Sequence, residues 1–115
     1  MHEYIIILPS GTFTRVERNN EPTLEELQHG VGGYIEHLSL LWRGKPAHGY
    51  VNEDGKRLNL PTNRKATAIF HNSIQGPEDK SYAEYDNLNE DPGDYIYWGG
   101  DHIVGSMVIW TGDVS

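Results

Sequence analysis

Gly30-Val31-Gly32-Gly33-Tyr34-Ile35-Glu36-His37-Leu38-Ser39-Leu40, then His48-Gly49-Tyr50-Val51-Asn52-Glu53-Asp54-Gly55-Lys56, then Pro61-Thr62-Asn63-Arg64-Lys65-Ala66-Thr67-Ala68-Ile69-Phe70, are the pieces of residues 30–70 that decide the fold. Tyr34 to Trp42 reads as a strand. At a period of two, one face carries Tyr34, Glu36, Leu38, Leu40 and Trp42, and the other Ile35, His37, Ser39 and Leu41. Gly44-Lys45-Pro46 is a turn. His48–Glu53 and Lys56–Leu60 flank Asp54-Gly55, a dipeptide suited to the left-handed backbone of a two-residue hairpin, so two paired strands are expected there. Asn63 is a good N-cap for a helix over Arg64–Ile74, with Ala66, Ile69, Phe70 and Ser73 as its core stripe and Gly76-Pro77 as its stop.

Working outward, Tyr4–Leu8 is a continuous apolar run rich in Ile, which reads as a strand buried on both faces. Pro9-Ser10-Gly11 turns the chain, and Thr12–Glu17 returns as an edge strand. Thr23-Leu24-Glu25-Glu26 is a capping-box pattern: the hydroxyl can accept from an amide three residues on while the carboxylate reaches back. The helix it opens is short, about two turns, and Gly30 or Gly32 ends it. Near the C-terminus, Tyr95–Trp98 reads as a short strand and Gly99-Gly100-Asp101 as a turn. Ile103–Thr111 is apolar on both faces and therefore central, with Gly105 marking a bulge or a close backbone approach. The expected architecture is one α+β domain over residues 1–115, a mixed or antiparallel sheet with two short helices on one face.

The chain has 115 residues, no cysteine, and 17 acidic against 9 basic residues, a net charge of −8. Disulfides, thiolate metal sites and Cys nucleophiles are excluded. No apolar run approaches the roughly 18 residues of a membrane helix, and an N-terminus with Glu3 and Pro9 is not a signal peptide, so a cytoplasmic protein without membrane contact is expected. The charge is concentrated. Residues 77–94 hold Glu78, Asp79, Glu84, Asp86, Glu90, Asp91 and Asp94 against Lys80 alone. This balance argues against direct nucleic-acid binding. The segment reads as a long acidic surface loop whose Tyr82, Tyr85 and Leu88 pack back on the body.

No catalytic signature is present. There is no G-x-S-x-G elbow, no H-E-x-x-H, and the six His are scattered, so no metal or cofactor is expected. Glu36 interrupts an apolar face. A carboxylate there is hydrogen-bonded, paired, protonated or turned to solvent, and either a structural or a ligand-binding role follows. An acid–base role for Glu36 stays open. Asn63, Arg64 and Lys65 place free amides, a positive dipole end and two cations together, an arrangement suited to phosphate. Glu36 and Asn52 are candidates to orient polar groups of a ligand, and Tyr50 or Trp98 to stack on a base.

Val31-Gly32-Gly33-Tyr34-Ile35-Glu36, Val51-Asn52-Glu53-Asp54-Gly55-Lys56, Leu60-Pro61 with Asn63 and Ala66-Thr67, and Asp101-His102-Ile103-Val104-Gly105 together resemble an uncharacterised family of small proteins carried by phages and actinobacterial mobile elements. Residues 77–94 stand outside the resemblance, as an insertion. The resemblance implies a setting and no reaction. The expected function is a non-enzymatic counter-defence protein that sequesters a small nucleotide-like anion. The alternative is an inhibitor whose acidic loop occupies a basic surface of a host protein. Exposed strand edges and three Trp also suit a homo-oligomer.

Overall fold

A computed structural model describes residues 1–75, 85–93 and 101–115. Five strands and two helices follow the order β1 (His2–Ile7), β2 (Phe13–Arg18), α1 (Leu24–Val31), β3 (Ile35–Trp42), β4 (Lys45–Asn52), α2 (Arg64–Gln75) and β5 (Met107–Trp110). The strands form one sheet in the order β2-β1-β5-β4-β3. Every neighbouring pair is antiparallel. The expected α+β class is found, with an antiparallel sheet. The last strand is central, as its two apolar faces required. The expected strand Tyr95–Trp98 lies outside the described residues.

The two helices do not share a face. Ile5, Ile7, Leu40, Val51, Met107 and Ile109 pack with Ala66 and Ile69 of α2. Tyr4, Ile6, Tyr50, Val108 and Trp110 pack with Leu27 and Val31 of α1 on the other side. The separation of the helices has a physical reason. β1 and β5 are apolar at every position of their inner segments, and a strand with two apolar faces needs a cover on each.

The hairpin also sits elsewhere. β3 and β4 pair from Ile35↔Asn52 to Trp42↔Lys45 around Arg43-Gly44. Those two residues have φ of 53° and 78°, the pair of left-handed conformations that a two-residue hairpin needs. Asp54-Gly55 instead opens a run of turns. The Asn52 Oδ1 accepts from the Asp54 amide at 2.8 Å. The Leu58 amide then donates to the Asp54 carbonyl and the Leu60 amide to the Gly55 carbonyl. An Asn side chain that captures a nearby amide competes with strand pairing, and here it removes the expected strand Lys56–Leu60.

Glycines are decisive at two places. Gly32 ends α1 with φ 76°. Gly105, at φ 75°, donates its amide to the Pro61 carbonyl at 2.8 Å, and a Cβ there would meet Leu60 at 2.8 Å. The close approach expected from the sequence is therefore real.

The capping box is formed. The Thr23 hydroxyl accepts from the Glu26 amide at 3.1 Å, and Glu26 accepts from the Thr23 amide at 3.0 Å. Glu26 also receives a two-pronged contact from Arg18, at 2.7 and 3.0 Å, which ties the end of β2 to the start of α1. The Arg18 guanidinium first, and the Thr23 amide second, hold the Glu26 carboxyl down at about 2, against an ordinary 4.5. A carboxyl depressed on folding stabilises the fold above its unfolded pKa and loses that contribution as pH falls through the folded one. Glu26→Gln is therefore expected to cost about 1 kcal/mol at pH 7, the scale of an exposed cap and ion pair. The gap between wild type and variant closes as pH drops from 4.5 to about 2, which urea unfolding across that range will show.

Candidate functional site

Four of the residues singled out in the sequence line two clefts, Arg64 and Lys65 the one, Glu36 and Asn52 the other. The first lies at the start of α2. Asn63 is fully buried. Its Nδ2 donates to the Ile7 carbonyl and to the Gly105 carbonyl, each at 2.9 Å, and its Oδ1 accepts from the Ala66 amide at 3.0 Å. Both donors of the amide are engaged, so Asn63 lies beneath the cleft and positions it. Arg64 and Lys65 come next in the chain and line the cleft itself, which has a volume of about 420 Å³. The β1–β2 turn, Pro9 to Thr12, forms one wall, and Asn89, Asp91 and Pro92 form the other.

The two cations behave differently. Lys65 is half-buried, and its Nζ donates to the Gly11 carbonyl at 2.7 Å and to the Leu88 carbonyl, so it bridges the two walls. The ammonium also stands 5.3 Å from the centre of the Phe13 ring. Arg64 is exposed at the rim. It donates to the Gly93 carbonyl at 2.8 Å and reaches the Asp91 carboxylate at 3.3 Å.

The second cleft, of about 250 Å³, holds Glu36 and Asn52. Its floor is apolar, with Leu38, Val51, Phe70, Ile103 and Val104. Its rim carries Glu36, Glu53, Asp54 and Asp101 against Lys56 and Arg57. Lys56 donates to Asp101, and that contact first of all holds the Asp101 carboxyl below its ordinary range. Glu36 is exposed. It sits at the end of β3, on the α2 face, and reaches solvent with no bulge in the strand register. Asn52 is buried and committed to the frame. It donates to the Val31 carbonyl at 3.2 Å besides accepting from Asp54.

Tyr50 is in neither cleft. It is buried under α1, and that burial pushes its hydroxyl pKa up. A stacking role on a ligand does not fit this position. Trp98 lies outside the described residues. The structure thus keeps Arg64 and Lys65 together, and separates them from Glu36, Asn52 and Tyr50.

Within residues 85–93, Tyr85 and Leu88 are buried in the core on the α2 side, so the expected packing of these side chains is met. The Tyr85 hydroxyl donates to the Glu90 carbonyl at 2.7 Å, and burial raises its pKa to about 12. Tyr82 lies outside the described residues. One contact went unread in the sequence: His37 and His48, eleven positions apart, meet across β3 and β4. The register that joins them is set by the tight turn at Arg43-Gly44, where the broader turn Gly44-Lys45-Pro46 was expected. Among the described residues no group of three or more His, Asp or Glu is placed to hold a metal ion. No helix among them is long and apolar enough to cross a membrane.

A family model described as a domain of unknown function, DUF3846, matches residues 1–91, and the chain belongs to that family. No curated protein and no solved structure matches.

The contrast between the two cations is measurable. Lys65→Ala strips a half-buried donor from two carbonyls and is expected to cost about 1–2 kcal/mol. Arg64→Ala removes an exposed pair and is expected to cost less than about 0.5 kcal/mol. Equilibrium urea unfolding of both variants checks the order.

Proposed function

We propose that this member of the DUF3846 family is a non-enzymatic binding protein, and that its cleft at the start of α2 takes a small nucleotide-like anion. The observation that carries this reading is the contrast in charge between the two clefts. Arg64 and Lys65 outnumber Asp91 in the larger one, while carboxylates outnumber cations in the other. In a chain of net charge −8, the two cations at the start of α2 lessen the repulsion that an anion meets there.

The chemistry follows from the contacts. Arg64 already faces a carboxylate, and a phosphate offers the same acceptor oxygens with more charge. An incoming phosphate would compete with Asp91 for the guanidinium. Lys65 would act through its field, through its one remaining donor, and by holding the walls at a fixed distance, since two of its three ammonium donors go to Gly11 and Leu88. The positive end of the α2 dipole points the same way. In the setting that the sequence resemblance implies, phage or mobile-element biology, such a protein would lower the free level of a nucleotide signal used in host defence.

A second reading has its own observation. Tyr85 and Leu88 are buried and anchor a segment on which Asp86, Glu90 and Asp91 are exposed. A held acidic surface of this kind suits docking on a basic patch of a host protein.

Isothermal titration against a panel of cyclic and linear nucleotides separates the two. The first reading expects saturable heat with at least one of them, and about tenfold weaker binding in Arg64→Ala, the worth of one charge-assisted contact. No heat across the panel would sink it. Reversal of the exposed charges, Asp86→Lys with Glu90→Lys, leaves the core residues Tyr85 and Leu88 in place; loss of the biological effect in that folded variant, with no nucleotide bound by the wild type, would establish the second.

A further inference from the structure

On the α1 face of the sheet, away from both clefts, two imidazoles meet. His37 of β3 and His48 of β4 are diagonal neighbours, since His37 pairs with Tyr50 and Ser39 with His48. Side chains so placed on an antiparallel pair reach each other when they are long or aromatic. The His37 Nε2 lies 3.0 Å from the His48 Nδ1, with ring centres 5.2 Å apart. The His37 ring also packs edge-on against Tyr50, at 5.4 Å. Tyr50 is buried and fixed under α1, so one side of the pair rests on a rigid ring.

We propose that this pair is a binding site for a divalent d-block cation such as Cu²⁺, Ni²⁺ or Zn²⁺. Neutral imidazole is the donor these ions favour, with copper the tightest of the three. With bonds of about 2.0–2.1 Å, two nitrogens in adjacent coordination positions stand about 2.9–3.4 Å apart. The sheet already holds the two nitrogens at that separation.

In the metal-free pair, one facing nitrogen donates a proton and the other accepts it. Binding a cation requires the donor ring to move its proton to its other nitrogen. Both facing lone pairs are then free, and the pair as a whole loses no proton. The electrostatics favour this. On the same face of β3, β4 and β5 the neighbours are Ile35, Ser39, Leu41, Pro46, Tyr50, Asn52, Val108 and Trp110, none of them charged. The whole chain is strongly negative. His37 is exposed, so water completes the coordination sphere and the ion has an open path in.

The test is a titration of the full chain, first stripped with a chelator, with CuCl₂, NiCl₂ and ZnCl₂ by isothermal calorimetry. The proposal expects one ion per chain, tightest for copper. His37→Ala and His48→Ala should each weaken it at least about tenfold, as loss of one of two ligands requires. His102→Ala, on a residue that lines the α2-side cleft, should leave it unchanged. Thermal melting of each variant confirms the fold. With folded variants, no binding of any of the three ions, or binding that survives His37→Ala or His48→Ala, overturns the proposal.

Discussion

The side chain of Asn63 is the junction on which this fold depends. It is fully buried and joins three separate parts: the end of β1 at Ile7, the chain before β5 at Gly105, and the first turn of α2 at Ala66. The backbone around it repeats the link, with the Asn63 amide on the Ile103 carbonyl and the Thr67 amide on the Asn63 carbonyl. Ile7 and Gly105 lie at or beside the ends of two neighbouring strands. The Asn63 amide gives each of their carbonyls a hydrogen bond, worth about 0.5–1.5 kcal/mol apiece. A neutral amide is the one side chain of this size that supplies two donors and an acceptor at once.

The sheet explains why such a junction is needed. A central strand of four residues, all buried, is apolar on both sides and carries a helix on each. α1 is tied to the edge strand β2 through Arg18 and Glu26. α2 enters from the run of turns after β4 and must be placed against β1 and β5, far from it in sequence. Asn63 does this placing. It thereby also places the next two residues, Arg64 and Lys65, at the mouth of the cleft against the β1–β2 turn. Position in the fold and exposure of the cations are one consequence of the same contacts.

Much of this was legible in the residues. The Ile run of β1, the capping box at Thr23, the N-cap at Asn63 and the central character of β5 each follow from a local pattern, and local patterns survive folding. The errors came where two local signals competed. Asp54-Gly55 can turn a hairpin, but the Asn52 side chain captured the Asp54 amide and opened a run of turns instead, while the expected turn after Trp42 formed tightly at Arg43-Gly44. The placement of the helices on one face ignored what the two-faced strands already demanded. The candidate site was half legible. Asn63, Arg64 and Lys65 do cluster, but burial of Asn63 and the carbonyl contacts of Lys65 depend on chain segments far away. The His37–His48 contact needed the true β3–β4 register and was out of reach without it.

The stability of Asn63→Asp, measured by equilibrium unfolding at neutral pH, tests this account most directly. The two side chains have nearly the same shape, and a carboxylate at an N-cap is as good as an amide or better. Only the two donors are lost, and an oxygen then faces the carbonyls of Ile7 and Gly105. A loss of at least about 3 kcal/mol is expected, from two lost buried hydrogen bonds and a buried carboxylate set against two carbonyl oxygens. A variant as stable as the wild type, or more stable, would show that Asn63 is an ordinary helix cap and that the junction lies elsewhere.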